Sequence, residues 1–360
     1  MRILHITSSL DGGGIASLLM DYCSRLIPDL EFDFVITSKQ EGFLEQPLRN
    51  LGCNIYRVEQ FRISPIKYFS QLKKIIKSGG YDIVHDHADY RSFFRLMCAK
   101  MCGVKKRIAH SHLAYVKLSK KARVEKAVFT PLVKSVATGL VACSSDAAKW
   151  TWGKTNKNVF IMKNAIETDR FAFSESKRTS IRQQYELNNK FVIGNVARFA
   201  YQKNHKFLID ILKEMLKIKK NTVLLLVGDG DLFNEVKEYT INSGLQKYVL
   251  FLGTRNDVPD LLNAMDCFVL PTRFEGLGIA YIEAQANGLY SFGTKSVVPE
   301  EANIDGGLIF IDEKESAQVW AQRILDINDS RIRNANKKVV AAGYDIDEAV
   351  EKLRRYYFSL

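Results

Sequence analysis

The sequence predicts an α/β protein made of two doubly wound, mostly parallel sheets in series. Three observations predict it. The length, 360 residues, suits about two domains. Apolar runs of strand length alternate with amphipathic helical stretches through both halves, the pattern of parallel strands covered by helices on both faces. Between the halves the pattern turns polar and irregular, over residues 164–182, and reads as a linker.

In the first half, strands are expected at 3–8, 32–37, 55–58, 82–85, 107–110, 139–143 and 159–162, with helices at 14–26, 66–76 and 93–102. In the second half, strands are expected at 191–197, 223–227, 249–252, 267–270, 290–293 and 308–311. A helix over 204–219 carries Phe207, Leu208, Ile211, Leu212, Met215 and Leu216 on one side. The final segment offers Asp345 as N-cap, Glu348 three residues later, and Ile346, Val350, Leu353 and Tyr357 on one stripe. A helix so late has no strand to follow it, so it should cross back over the first domain. The expected domains are 1–170 and 171–342, with a returning helix over 343–360.

Composition narrows the setting. No run of about 18 apolar residues occurs, so no transmembrane helix is expected. The N-terminus is too short and polar for a secretory signal and reads as a first strand. Of the six cysteines only Cys98 and Cys102 are close, without a second pair, so neither zinc nor a disulfide framework is expected from them. The cytosol fits best. A formal charge of +12 calls for an anionic partner: a phosphate-bearing substrate, an acidic membrane surface or nucleic acid. No nucleic-acid-binding motif is visible, and that partner ranks last. Residues 105–126 hold Lys105, Lys106, Arg107, Lys117, Lys120, Lys121, Arg123 and Lys126 against Glu125, interleaved with apolar side chains. Such a mix lies on an anionic bilayer or forms the basic face of a solvated helix.

Ligands of doubly wound sheets bind beyond the carboxyl ends of the strands. The stretch 271–288 stands at such an end. Pro271 closes the strand, Gly276 and Gly278 lie in the loop, a helix follows over 279–287, and Gly288 stops it. A helix N-terminus with nearby glycines accepts a phosphate, and Glu275 and Glu283 suit hydroxyl groups. The stretch fits a nucleotide sugar, or else a plain corner with two surface glutamates. After the strand 191–197 come Arg198 and Lys203, phosphate binders by charge and reach. After 223–227 come Gly228, Asp229, Gly230 and Asp231. This Asp-x-Asp is a divalent-metal site or a tight turn, and the turn is favoured because Arg198 and Lys203 already supply countercharge.

In the first half, Asp11-Gly12-Gly13-Gly14 leaves room for backbone beside a ligand. It fails as a dinucleotide fingerprint, because Ser17 replaces the third glycine and Thr37-Ser38-Lys39 brings no ribose-binding acid. Hydride transfer is disfavoured. His85, His87, His110 and His112 stand at the ends of two neighbouring strands. They are metal ligands with Asp86 or Asp89, substrate contacts, or structural histidines. His112 is the one expected to touch an acceptor or sugar.

The Glu275-x7-Glu283 pair within Pro-Thr-Arg-Phe-Glu-Gly-Leu-Gly-Ile-Ala-Tyr-Ile-Glu-Ala resembles the signature of GT-B retaining glycosyltransferases of family 4. Arg198 and Lys203 are similar to that family's donor-phosphate pair. Gly12-Gly13-Gly14, Asn164-Ala165-Ile166 with Phe171, and Leu226-Val227-Gly228-Asp229-Gly230 are similar too. The likeness covers nearly the whole chain and is strongest to bacterial capsular and exopolysaccharide transferases. It implies an active site in the cleft between an acceptor-binding N-terminal domain and a donor-binding C-terminal domain. Arg198 and Lys203 would neutralise the departing diphosphate. Backbone N–H groups of Gly276, Leu277, Gly278 and Ile279 would bind donor, with Gly13, Gly14 and Gly228 close to it. Glu275 would bind sugar hydroxyls and Glu283 the ribose. The family needs no metal and no other cofactor. The donor would be a UDP-sugar in preference to a GDP-sugar, and the acceptor a glycan or polyprenyl-diphosphate-linked sugar at the inner membrane face. Departures occur at Leu277-Gly278-Ile279-Ala280, Gln285-Ala286-Asn287-Gly288 and Glu167, where Phe-Gly-Leu-Pro, Met-Ala-Cys-Gly and Asp are usual. A nucleotide-sugar 2-epimerase on the same fold and a non-catalytic sugar-nucleotide-binding protein are the rival readings.

Overall fold

A computed structural model describes residues 1–11, 14–27, 29–112, 118–153, 158–327 and 331–360. The chain forms two compact units, Met1–Ala165 with Ile346–Leu360, and Ile166–Asp345.

The first unit holds β1 (Arg2–Ile6), β2 (Glu31–Ile36), β3 (Asn54–Arg57), β4 (Ile83–Asp86), β5 (Lys106–Ser111), β6 (Gly139–Ala142) and β7 (Val159–Ile161). Their order is β3-β2-β1-β4-β5-β6-β7, and every pairing is parallel. Alternating side chains feed two cores. Ile3, Phe32, Phe34, Ile83, Ile108 and Val141 pack with residues of the helices Gly14–Leu26 and Ile346–Ser359. Leu4, Ile6, Val35, Val84, Ala109 and Ala142 enter the opposite core. The terminal helix is thus part of this unit. Its Tyr356 ring stacks on Phe160 at 4.3 Å between centroids. A Cβ at Gly139 would come within 2.3 Å of the Tyr356 hydroxyl, so a side chain there would displace the tip of that ring.

The second unit holds β8 (Phe191–Val196), β9 (Thr222–Val227), β10 (Val249–Phe251), β11 (Cys267–Leu270), β12 (Ser291–Thr294) and β13 (Leu308–Ile311). The order is β10-β9-β8-β11-β12-β13, again parallel throughout. The helix His205–Ile218 buries Leu208, Ile211, Leu212 and Met215 as its periodicity predicts. The predicted α/β class with two parallel, doubly wound sheets is what the structure shows.

The stretch 164–182 is not an irregular linker. It contains the helices Thr168–Phe171 and Glu175–Gln184. The second escapes an apolar-period reading because arginines anchor it. Ser174 accepts the Lys177 N–H as N-cap, Arg178 pairs with Asp266 at 2.5 Å, and Arg182 donates to the carbonyls of Ala264 and Leu187. The unit boundary falls at Ala165/Ile166, earlier than the expected 170/171. The Ile166 N–H bonds the Tyr344 carbonyl, and Thr168 Oγ1 donates to the Asp345 carboxylate at 2.9 Å. Those contacts tie residues 166–170 to the second unit. All six cysteines are free thiols. Among the described residues no helix is long and apolar enough to cross a membrane.

Candidate functional site

In the second sheet the strand order reverses between β8 and β11. Loops leaving neighbouring strands in opposite directions open a crevice there. Two of the expected residues meet at this point. Lys203, after β8, places its ammonium 2.5 Å from Glu275 Oε2, after β11. Both side chains are largely buried, at 17 % and 10 % exposure. The two loops are stitched together by groups the sequence reading missed. Gln202 Nε2 donates to the Phe274 carbonyl at 2.8 Å, and its own carbonyl accepts the Arg273 N–H at 2.7 Å and the Thr272 hydroxyl at 3.0 Å. Arg273 reaches Asn204 Oδ1 at 2.8 Å and lies over the Tyr201 ring. His205 is buried against Phe199, ring on ring at 4.0 Å, and burial beside Lys203 lowers its pKa to about 4. Lys203 is therefore held from both sides in sequence.

Arg198 lies at the same edge but is exposed, and its guanidinium stands 3.3 Å from Asp231. Asp229 accepts the Gly230 N–H at 2.7 Å, and the Phe233 N–H bonds the Gly230 carbonyl at 3.0 Å, closing a turn over 230–233. Gly228 and Gly230 have φ of 133° and 152°. A Cβ at Gly228 would lie 2.2 Å from the Ala197 carbonyl oxygen, and one at Gly230 2.6 Å from that of Phe199. These glycines let the loops after β8 and β9 touch. The Gly228 N–H is itself spent on the Gly253 carbonyl.

The turn after β11 leads into the helix Ile279–Ala286 through Gly278, in the left-handed region at φ 79°. A Cβ there would meet the Tyr281 ring at 2.6 Å. Tyr281 is buried and donates to the Leu270 carbonyl at 2.5 Å, fixing the helix start to the strand end. Gly276 and Ile279 flank this start, Leu277 is buried, and Glu283 is half-buried on the helix. The unusual Gln285 and Asn287 are buried polar groups with partners. Gln285 Nε2 donates to the carbonyls of Tyr281 and Ala302, and its oxygen accepts the Ile304 N–H. Asn287 Nδ2 donates to the Phe171 carbonyl, and Arg331 bonds the Asn287 side chain and the carbonyls of Asn287, Asn263 and Met265. Burial among carbonyls lowers the Arg331 pKa to about 9.

The remaining expected residues lie in the first unit. Gly14 opens the helix Gly14–Leu26 and is exposed; Gly13 lies outside the described residues. His112 follows β5, is 9 % exposed, and takes its place among four deeper histidines: His5, His85, His87 and His110. Burial lowers the pKa of His5 and His112 to about 3, and those of the other three well below the usual imidazole value. Asp86 points to the other side of the sheet and pairs with Arg95 at 2.9 Å. Asp89 accepts the His112 backbone N–H at 2.8 Å.

Comparison with known proteins agrees with this geometry. Residues 177–346 match the family described as glycosyl transferases group 1. A Bacillus subtilis (strain 168) protein bearing the glycosyltransferase name EpsF is 29 % identical, over 90 % of this chain and 86 % of its own. An Escherichia coli enzyme named UDP-Gal:alpha-D-GlcNAc-diphosphoundecaprenol alpha-1,3-galactosyltransferase is 27 % identical, over 93 % and 91 %. The crystal structure of Anabaena Alr3699/HepE with UDP-glucose superposes with a TM-score of 0.80 at 20 % identity, covering 100 % of both chains.

Proposed function

Residues 177–346 match the group 1 glycosyl transferases, and from that match we propose that the chain moves a hexose or N-acetylhexosamine, with retention, from a nucleotide sugar to a lipid-linked or growing glycan. One observation carries the reading: Lys203 and Glu275 meet at 2.5 Å where the β8–β11 crevice faces the N-terminus of the helix Ile279–Ala286. An ammonium has three donors, so Lys203 can keep Glu275 and still take a phosphate oxygen. Arg198 is the second cation for the departing diphosphate. The backbone N–H groups at the start of the helix Ile279–Ala286 suit an anion. Glu275 binds sugar hydroxyls and Glu283 the ribose. His112 contacts acceptor or sugar, and Gly13 and Gly14 leave space for them. The leaving phosphate accepts the acceptor's proton on the face of attack. Catalysis is then positioning and charge stabilisation, without a metal, because Arg198 and Lys203 supply the countercharge.

A UDP-sugar is the favoured donor and a diphosphate-linked polyprenol sugar the favoured acceptor. The E. coli relative's name carries both chemistries. A lipid-linked acceptor requires contact with the bilayer at its inner face. The helix Lys120–Val136 has the character for it: Val124, Val128 and Leu132 recur every four residues at 64 %, 51 % and 36 % exposure, beside exposed Lys120, Lys121 and Arg123. Lys117 lies outside the described residues.

A thermal-shift screen over UDP-, GDP-, ADP- and CMP-sugars tests the donor site. A ligand at 100 times its Kd adds about 2.7 kcal/mol to the state that binds it. UDP-sugars should raise Tm in the native chain and not in Lys203→Ala. A shift that survives this substitution would place the nucleotide elsewhere.

A further inference from the structure

Five histidines share one face of the first sheet. The register sets His5 of β1 beside His85 of β4; His110 of β5 shares that face, and His87 and His112 extend it past the ends of β4 and β5. They form two hydrogen-bonded chains. In one, His5 Nδ1 meets His87 Nε2 at 2.9 Å, and His87 Nδ1 meets His112 Nε2 at 2.8 Å. In the other, the Tyr357 hydroxyl meets His85 Nδ1 at 2.8 Å, and His85 Nε2 meets His110 Nδ1 at 3.1 Å. The chains touch, with the His110 and His112 ring centroids 3.9 Å apart. The transfer reaction uses none of His5, His85, His87 or His110.

Counting protons shows what the chain ends offer. A neutral imidazole has one N–H and one lone pair. His110 Nε2 is buried and meets no hydrogen-bond partner among the described residues. With its proton on Nδ1, donated to His85, His110 presents a bare lone pair at Nε2. One ring nitrogen from each of His87, His110 and His112 lies within 4.8 Å of the other two.

We propose that His87, His110 and His112 form a tri-histidine site for a borderline first-row divalent cation, zinc by chemistry. Three imidazoles suit that class of ion and leave a fourth position open. Zn–N bonds of about 2.0–2.1 Å at tetrahedral angles put the nitrogens about 3.3 Å apart. His87 Nδ1 and His112 Nε2, now at 2.8 Å, must open by about half an ångström as the proton between them leaves, and their rings must turn so that both lone pairs converge on the ion. The outer shell is already built. His110 gives its Nδ1–H to His85, whose Nδ1–H goes to the Tyr357 oxygen, and His87 gives its Nε2–H to His5. Ligating histidines are usually oriented by such partners. The cost falls on His5, whose remaining N–H lies against Phe32 and Phe34. The cation would join the ends of β4 and β5 on the face that packs against the terminal helix. Its role is structural, and it takes no part in the diphosphate chemistry of the second unit; His112 ligates through Nε2 and keeps its Nδ1–H for the acceptor or sugar.

The test uses the tag-free full chain, stripped by chelator and titrated with Co2+ and then Zn2+. The expected result is one equivalent of Co2+ per chain with the visible bands of a low-coordinate site, displaced by Zn2+, and a rise in Tm. His110→Gln and His112→Gln should each lose at least about 100-fold in affinity, and Tyr357→Phe and His5→Gln about 10- to 100-fold. If the His110→Gln chain fails to fold, Tyr357→Phe removes only a hydroxyl beyond His85 and still decides the matter. Sub-stoichiometric Co2+, or affinity unchanged in the Tyr357→Phe or His110→Gln chain, would overturn the proposal.

Discussion

Replacing Lys203 by alanine would leave the Glu275 carboxylate, 10 % exposed, with poor company. Gln202 Nε2 stands at 3.5 Å and the Gly276 N–H at 3.3 Å, both long for a charge-assisted bond. Removing one partner of a fully buried pair costs about 3–5 kcal/mol. Lys203 keeps 17 % of its surface in water, and solvent can enter the vacated space, so we expect about 2 kcal/mol of lost stability in the second unit. Deleting Glu275 as well should restore much of it, because the stranded charge goes too. The coupling energy of that double-mutant cycle should be about 1–2 kcal/mol. Turnover should behave differently. A preorganised charge facing developing negative charge contributes about 10²- to 10³-fold in kcat, and the double variant cannot regain it. Urea unfolding measures the first quantity, and sugar-transfer kinetics on folded protein the second. Turnover within threefold of the native chain, alongside the expected stability loss, would show the pair to be a structural clamp and refute the assignment.

The other predictions concern pH, metal and membrane. His205 has a folded pKa of about 4, below its unfolded value of about 6.5, so its neutral form stabilises the fold above the unfolded pKa. That contribution is lost as pH falls, by about 1 kcal/mol from pH 7 to 5.5 and about 3 kcal/mol by pH 4. His205→Leu should flatten that part of the stability-versus-pH curve, and an unchanged slope would remove His205 as its source. Transfer rates in Mg2+-free buffer should equal those with Mg2+ added; a dependence on Mg2+ would return Asp229 and Asp231 to the metal reading. Changing Lys120, Lys121 and Arg123 together to glutamine should weaken binding to phosphatidylglycerol vesicles by roughly 1 kcal/mol per charge, and equal binding would leave the basic run a solvated face.

How much was legible in the sequence depended on how local each feature is. The corner at 271–288 could be read residue by residue, because Pro271, Gly278 and Gly288 act through their own backbone: Gly278 and Gly288 both adopt positive φ. Strand ends could be located, and with them Arg198, Lys203 and Glu275. The contacts between those ends could not, since Gln202 and Thr272 meet only through the β8–β11 neighbour relation. The helix Glu175–Gln184 was missed because arginines, not an apolar stripe, hold it to Asp266 and nearby carbonyls. Gln285 and Asn287 were visible as oddities, but their partners at Ala302, Ile304, Phe171 and Arg331 are far along the chain. Two His-x-His pairs were visible as well. Only the β1–β4 register shows that His5 joins them and that the cluster is buried.

The central claim is glycosyl transfer with retention from a donor held at Lys203 and Glu275. Proton NMR of the reaction with a UDP-α-sugar and a polyprenyl-diphosphate-linked acceptor tests it most directly. The account predicts an α-linked product and UDP release that both require the acceptor and fall at least about 100-fold in Lys203→Ala. A β-linked product, or a 2-epimerised sugar formed with no acceptor present, would contradict it.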